Sequence, residues 1–165
     1  MAEQTTKFYE EDDLLKEVKL NGALRDPFEL ADKEHISVLS ANFSFSSIIG
    51  MIKRRQENTM FYLSQYATVG WQRFTLAHML AHYYLHFSSQ KKTSWYCRQH
   101  YLSDGVSPEE EEADLFAREL LLPVECLKKE CAQLNTDLVM RLMTTYRLPK
   151  QLVESRLKET NVWHD

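Results

Sequence analysis

Between Trp71 and Phe87 the chain holds neither glycine nor proline, and within that stretch His78, His82 and His86 recur at every fourth residue. A stretch so free of breakers predicts one α-helix of about four turns. Side chains four apart on a helix stack on one face, with Cβ atoms close enough for two imidazoles to grip one ion. His78 and His82 are therefore candidate metal ligands, and a pair on one helix obliges the rest of the fold to bring a further donor. Zinc in a hydrolytic site typically takes three protein ligands and leaves the fourth position to water. His86, one turn further along the same helix, lies too far for tetrahedral closure and reads as packing or as a support for the ligands. The isolated His35, His100 and His164 read as ordinary core or surface histidines.

The third donor is expected on a second helix. Ser107-Pro108-Glu109-Glu110 is a helix start, with serine as N-cap, proline at the first helical position and glutamate at the third. The helix should run to about Leu122, where Pro123 ends it. Rotation at about 100° per residue places Ala113, Phe116, Ala117 and Leu120 on one apolar face. Glu109 and Glu110 fall on its edges, Glu111 on the opposite side and Glu112 on a flank. Glu110 leads, because Asp114 follows one turn later and could brace it or an imidazole. Glu109 stays an alternative, and Glu110 could instead be the capping-box carboxylate of Ser107.

The residue after the first histidine is Met79. In an H-E-x-x-H helix that position holds the carboxylate that takes a proton from metal-bound water. A thioether cannot do this at neutral pH, and such assistance is worth about 10²- to 10⁴-fold in rate. Metal binding survives the change, because methionine removes none of the proposed ligands.

The remaining chain is that of an ordinary globular unit. With 165 residues it suits one domain with a small helical appendage. A net charge of -4 argues against a surface built mainly to neutralise phosphates, so nucleic acid is not the favoured partner. Three cysteines, Cys97, Cys126 and Cys131, match neither a disulfide framework nor a metal clamp, which suits a reducing cytoplasm. No stretch reads as a signal peptide or a membrane span. Residues 1–10 read as a loose lead-in and 12–19 as a short helix, and Asp26-Pro27 opens another helix to about Lys33. Residues 36–39, 47–52 and 60–63 read as short strands of a small sheet. Residues 88–106 read as a long loop, and 124–134, 137–147 and 149–159 as three helices, the last two joined by a tight turn at Arg147-Leu148-Pro149.

Taken together, Gln72-Arg73-Phe74-Thr75-Leu76-Ala77-His78-Met79-Leu80-Ala81-His82-Tyr83-Tyr84-Leu85-His86 and the later Glu110-Glu111-Glu112-Ala113-Asp114-Leu115-Phe116-Ala117-Arg118-Glu119-Leu120-Leu121-Leu122-Pro123 resemble the ImmA/IrrE family of metallo-endopeptidases. Family members carry R-x-R-F-T-L-A-H-E-L-G-H-x-x-L-H and, after a variable loop, E-x-x-A-N/D-x-F-A-x-x-L-L-x-P. The likeness covers roughly residues 25 to 160. Met79 stands where the family has glutamate, and Ala81 where it has glycine. The resemblance implies an α+β fold, a small zincin-like metallopeptidase domain over 1–123, with a helix-turn-helix-like tail over 124–165 packed on it. It implies Zn2+ held by His78, His82 and Glu110. It also implies a partner, since family members often cleave or act beside a helix-turn-helix repressor encoded next to them, in prophage control, stress responses or toxin–antitoxin pairs.

The leading expectation is a catalytically impaired relative that acts on or with a helix-turn-helix repressor or antitoxin. Two others stand beside it. An active zinc endopeptidase would need a substitute base such as Glu109 or Glu111, and a DNA-binding tail would use Arg141, Arg147, Lys150, Arg156 and Lys158. Against the second, Leu138, Leu142, Leu148, Val153 and Leu157 have the spacing to pack the tail onto the domain. Cys97 with His100 is a weak match to a thiol–imidazole nucleophile, and Trp95, Tyr96 and Tyr101 could line a cleft or anchor their loop.

Overall fold

A computed structural model describes residues 26–55, 58–86, 93–98, 107–132 and 137–161. The expected lead-in and the helix over 12–19 lie outside the described residues, as do His100, Tyr101 and His164. In chain order the elements are α1 (Pro27–Lys33), β1 (Ser37–Ala41), β2 (Ile48–Arg55), β3 (Asn58–Ser64), α2 (Val69–Ala81) with a π-helical turn at His82–His86, β4 (Ser94–Arg98), α3 (Pro108–Leu121), α4 (Val124–Cys131), α5 (Leu138–Tyr146) and α6 (Lys150–Glu159). This is a mixed α+β fold, a four-stranded sheet with helices packed on it, as expected of a small zincin-like domain.

The sheet has the order β1-β3-β2-β4, with β1 parallel to β3 and the two other pairings antiparallel. Strand period two sends alternate residues to one face. The register sets Phe61, Ile52 and Trp95 in one row and Leu63, Gly50 and Cys97 in the next. Helix α2 lies over that second row. A Cβ on Gly50 would come within 2.5 Å of Thr75 Cγ2 and 3.2 Å of Met79 Sδ. The missing side chain is thus what allows helix and sheet to approach so closely, and a β-bulge between Ile48 and Gly50 marks the same place.

Helix α2 is buried all round from Phe74 to Ala81, because the sheet covers one side and α3 the other. It begins two residues earlier than the breaker-free stretch suggests. Thr68 is the N-cap, and Gly70 is kept inside the helix by a close approach, its Cβ position lying 2.8 Å from Pro149 N. The regular helix also stops earlier, at Ala81, and widens into the π turn that carries His82 and His86.

The expected long loop over 88–106 contains β4, which pairs with β2 as the edge of the sheet. The alternation becomes visible only once β2 is alongside, with Cys97 buried, Trp95 half-buried and Tyr96 exposed. Asp26 caps α1 as expected, accepting a hydrogen bond from the Phe28 amide. The turn after α5 is made by Arg147 in the left-handed conformation, φ 52°. Leu127, Leu142, Leu148, Leu152, Val153 and Leu157 join the same hydrophobic cluster as the sheet and α2.

Candidate metal centre

His78 and His82 sit on the side of α2 that faces α3, one turn apart, and both are buried. Their ring centroids are 4.7 Å apart and their Nε2 atoms 3.0 Å apart. Glu110, in the first turn of α3, meets both: Oε2 lies 3.2 Å from His78 Nε2 and Oε1 3.2 Å from His82 Nε2. The capping alternative for this glutamate is not what forms. Ser107 makes no side-chain cap hydrogen bond, and the Glu110 carboxylate is turned toward the imidazoles. Glu109 and Glu111 are exposed. Among the described residues, His78, His82 and Glu110 form a group whose donor atoms all lie within 4.8 Å of one another.

The donor set suits zinc in type and spacing. Two imidazole nitrogens and a carboxylate are the ligands of a hydrolytic site, and atoms held about 2.0–2.1 Å from one tetrahedral ion lie roughly 3.3–3.4 Å from each other. The Nε2–Nε2 separation of 3.0 Å and the 3.2 Å from each ring to a different oxygen of the Glu110 carboxylate are near that spacing. The orientation of His78 fits as well. Its Nδ1 lies 2.7 Å from Asp114 Oδ1. An ionised carboxylate only accepts, so Nδ1 carries the proton and a neutral ring leaves Nε2 bare toward His82 and Glu110.

Electrostatics describe the same crowding with no cation present. Burial opposes charge on His78, but hydrogen bonds to Asp114 and Glu110 outweigh it and push the imidazole up to about 9. At His82, burial prevails over the Glu110 hydrogen bond and lowers the pKa. Burial works to raise the Glu110 carboxyl, yet the two histidines hold it well below the usual carboxylate range. The carboxylate is therefore ionised at neutral pH, the state a metal ligand requires.

Met79 is wholly buried, with its sulfur beside Gly50 of β2. Cys97 is buried in β4, and burial, with Glu110 and Asp114 nearby, pushes its thiol up, the opposite of an activated nucleophile. Glu112, on the flank of α3, is drawn in as well: its Oε2 lies 2.9 Å from His86 Nε2, and His86 Nδ1 lies 2.9 Å from His82 Nδ1. Its signal in the sequence is faint, because helix geometry puts Glu112 to the side of Glu110, and only the π turn decides where His86 points.

No helix among the described residues is long and apolar enough to cross a membrane. No curated protein matches the chain at a significant level. A family model described as the IrrE N-terminal-like domain, a peptidase family, matches residues 31–158, which takes in the sheet, both metal-site helices and the tail. On that match, and with a two-histidine, one-carboxylate cluster where such a peptidase would need one, the chain belongs to the IrrE N-terminal-like peptidase family.

Proposed function

We propose that this chain is a metal-binding, catalytically impaired member of its peptidase family that acts on or with a helix-turn-helix repressor or antitoxin by binding it. His78, His82 and Glu110 are the proposed ligands, with Asp114 holding the His78 ring. Bound zinc would supply Lewis acidity and a polarised water. What position 79 lacks is a group to take that water's proton.

The observation that carries the proposal is Met79. It follows the first histidine, where the general base belongs, and its side chain is 0% exposed against β2. A buried thioether neither accepts nor returns a proton at neutral pH, so hydrolysis loses the roughly 10²- to 10⁴-fold that a positioned base contributes. Exposed Glu109 and Glu111 are poor substitutes, since a base must lie within hydrogen-bond reach of the proton it takes. The partner class rests on the family resemblance.

The tail fits packing better than groove reading. Arg156 is 2% exposed and paired with Glu119, Arg141 is paired with Glu130, and Lys150 lies 3.5 Å from Glu154. The two arginines are poorly placed to neutralise phosphates, whereas Arg147, Lys150 and Lys158 keep their charge at the surface.

The test uses the zinc-loaded protein and a small helix-turn-helix protein encoded beside it. The natural chain should form a complex without cutting its partner, and Met79→Glu should introduce cleavage. Robust cleavage by the natural chain overturns the impairment. Loss of zinc on His78→Ala supports the ligand set, and a folded natural protein that takes up no zinc overturns it.

A further inference from the structure

His78 with Asp114, and His82 and His86 with Glu112, form two parallel arms where α2 and its π turn face α3. In the first, Asp114 Oδ1 holds His78 Nδ1 at 2.7 Å. The second is longer: Glu112 Oε2 holds His86 Nε2 at 2.9 Å, and His86 Nδ1 meets His82 Nδ1 at 2.9 Å. His82 Nε2 then faces His78 Nε2 and Glu110.

Counting protons along the second arm decides the tautomers. The Glu112 carboxylate only accepts, so His86 Nε2 carries a hydrogen. A neutral imidazole has one N–H, so His86 Nδ1 is an acceptor. His82 Nδ1 must then donate to it, which leaves His82 Nε2 bare and directed at the proposed ion. Without His86 the two tautomers of His82 differ little in energy, and the one that protonates Nε2 blocks the ligand position. The π turn is confined to His82–His86, the segment joining the two rings, and single π turns often mark functional places in a helix.

We propose that His86 and Glu112 are positioning residues that fix the His82 tautomer, so that metal affinity depends on a carboxylate outside the ligand set. The assignment rests on the metal-site reading above. It adds that Glu112, half-exposed at the edge of α3, is the far anchor of the centre. Partners of ligating imidazoles commonly contribute 10- to 100-fold to affinity. The exposure of Glu112 puts its own contribution near the lower figure.

The experiment is zinc affinity by competition with a chromophoric chelator for the natural chain, Glu112→Ala, Glu112→Asp, His86→Leu and the exposed control Glu111→Ala. Alongside it, long-range ¹H–¹⁵N correlation spectra of histidine-labelled, zinc-loaded protein read the tautomers directly. Glu112→Ala should weaken zinc by about 10-fold, His86→Leu by more, and Glu112→Asp should restore part of the loss, with the control unchanged. The spectra should show His86 protonated on Nε2 and His82 on Nδ1. Should His86→Leu fail to fold, Glu112→Ala carries the test, because the site it alters is on the surface. Affinity within twofold of natural in both arm variants, or His86 protonated on Nδ1, overturns the arm while leaving the metal centre intact. Failure of the natural chain to bind zinc overturns the metal centre and the arm with it.

Discussion

Met79→Glu exposes the tension between catalysis and packing at this centre most directly. The methionine is wholly buried, and its sulfur lies where β2 has no side chain at Gly50. Glutamate is close to methionine in length and volume, so the substitution opens little cavity and the cost is chiefly electrostatic. Fully buried glutamates reach pKa values of about 8–9, roughly four units above the unfolded value. At about 1.4 kcal/mol per unit, this sets a ceiling near 6 kcal/mol at high pH. Partial hydration and relaxation should reduce the penalty to about 3–5 kcal/mol at pH 8. The sign follows from linkage: a carboxyl whose folded pKa is raised destabilises above its unfolded pKa, and this penalty vanishes as the pH falls toward 4. Urea unfolding of the metal-free proteins, followed by tryptophan fluorescence, should therefore show a gap between natural and variant protein that is large at pH 8 and much smaller at pH 5. A gap below about 1 kcal/mol at both pH values would mean that position 79 is hydrated, and would refute the account of Met79 as a core residue. The expected result also bears on the cleavage assay, since the variant must be shown to be folded at the assay pH before a lack of cleavage is interpreted.

Three further outcomes follow. Because His78 is raised from 6.5 to about 9, its contribution to the stability of metal-free protein is fully present below pH 6.5 and is lost as the pH rises through 9; zinc displaces that proton, so the slope should flatten in melts of the loaded protein across this window. Gly50→Ala would set a Cβ 2.5 Å from Thr75 Cγ2 and should cost about 1–3 kcal/mol in urea unfolding, whereas an unchanged midpoint would show that α2 shifts freely on the sheet. Arg156→Ala should cost about 3–5 kcal/mol, because it strips Glu119 and the Leu122 carbonyl of a buried partner; a loss under 1 kcal/mol would show that the ion pair behaves as a solvated one.

How much could be read in advance varies with how local the cause is. The limits of α3 are written in Ser107, Pro108 and Pro123, because the backbone preferences of helix-end residues act within a few positions. The three strands over 36–63 stand out as β-prone runs between turn-like segments. β4 does not, because its alternation makes sense only beside β2. The start of α2 was obscured by Gly70, a poor helix residue retained for its contact with Pro149 some eighty positions away.

The sequence by itself determined the pairing of His78 with His82 and the placing of Glu110 at the edge of the apolar face of α3. Both follow from the 3.6-residue period, a property of the backbone that needs no partner. It also determined that a methionine, which cannot act as a base, follows the first histidine, because that depends on side-chain chemistry at one position. Only the tertiary structure decided that Glu110 turns to the imidazoles rather than to its own helix end, that Asp114 meets His78, and that Glu112 reaches His86. Those contacts join residues 26 to 36 positions apart. They depend on how closely α2 and α3 pack and on a π turn between His82 and His86, neither of which local periodicity encodes.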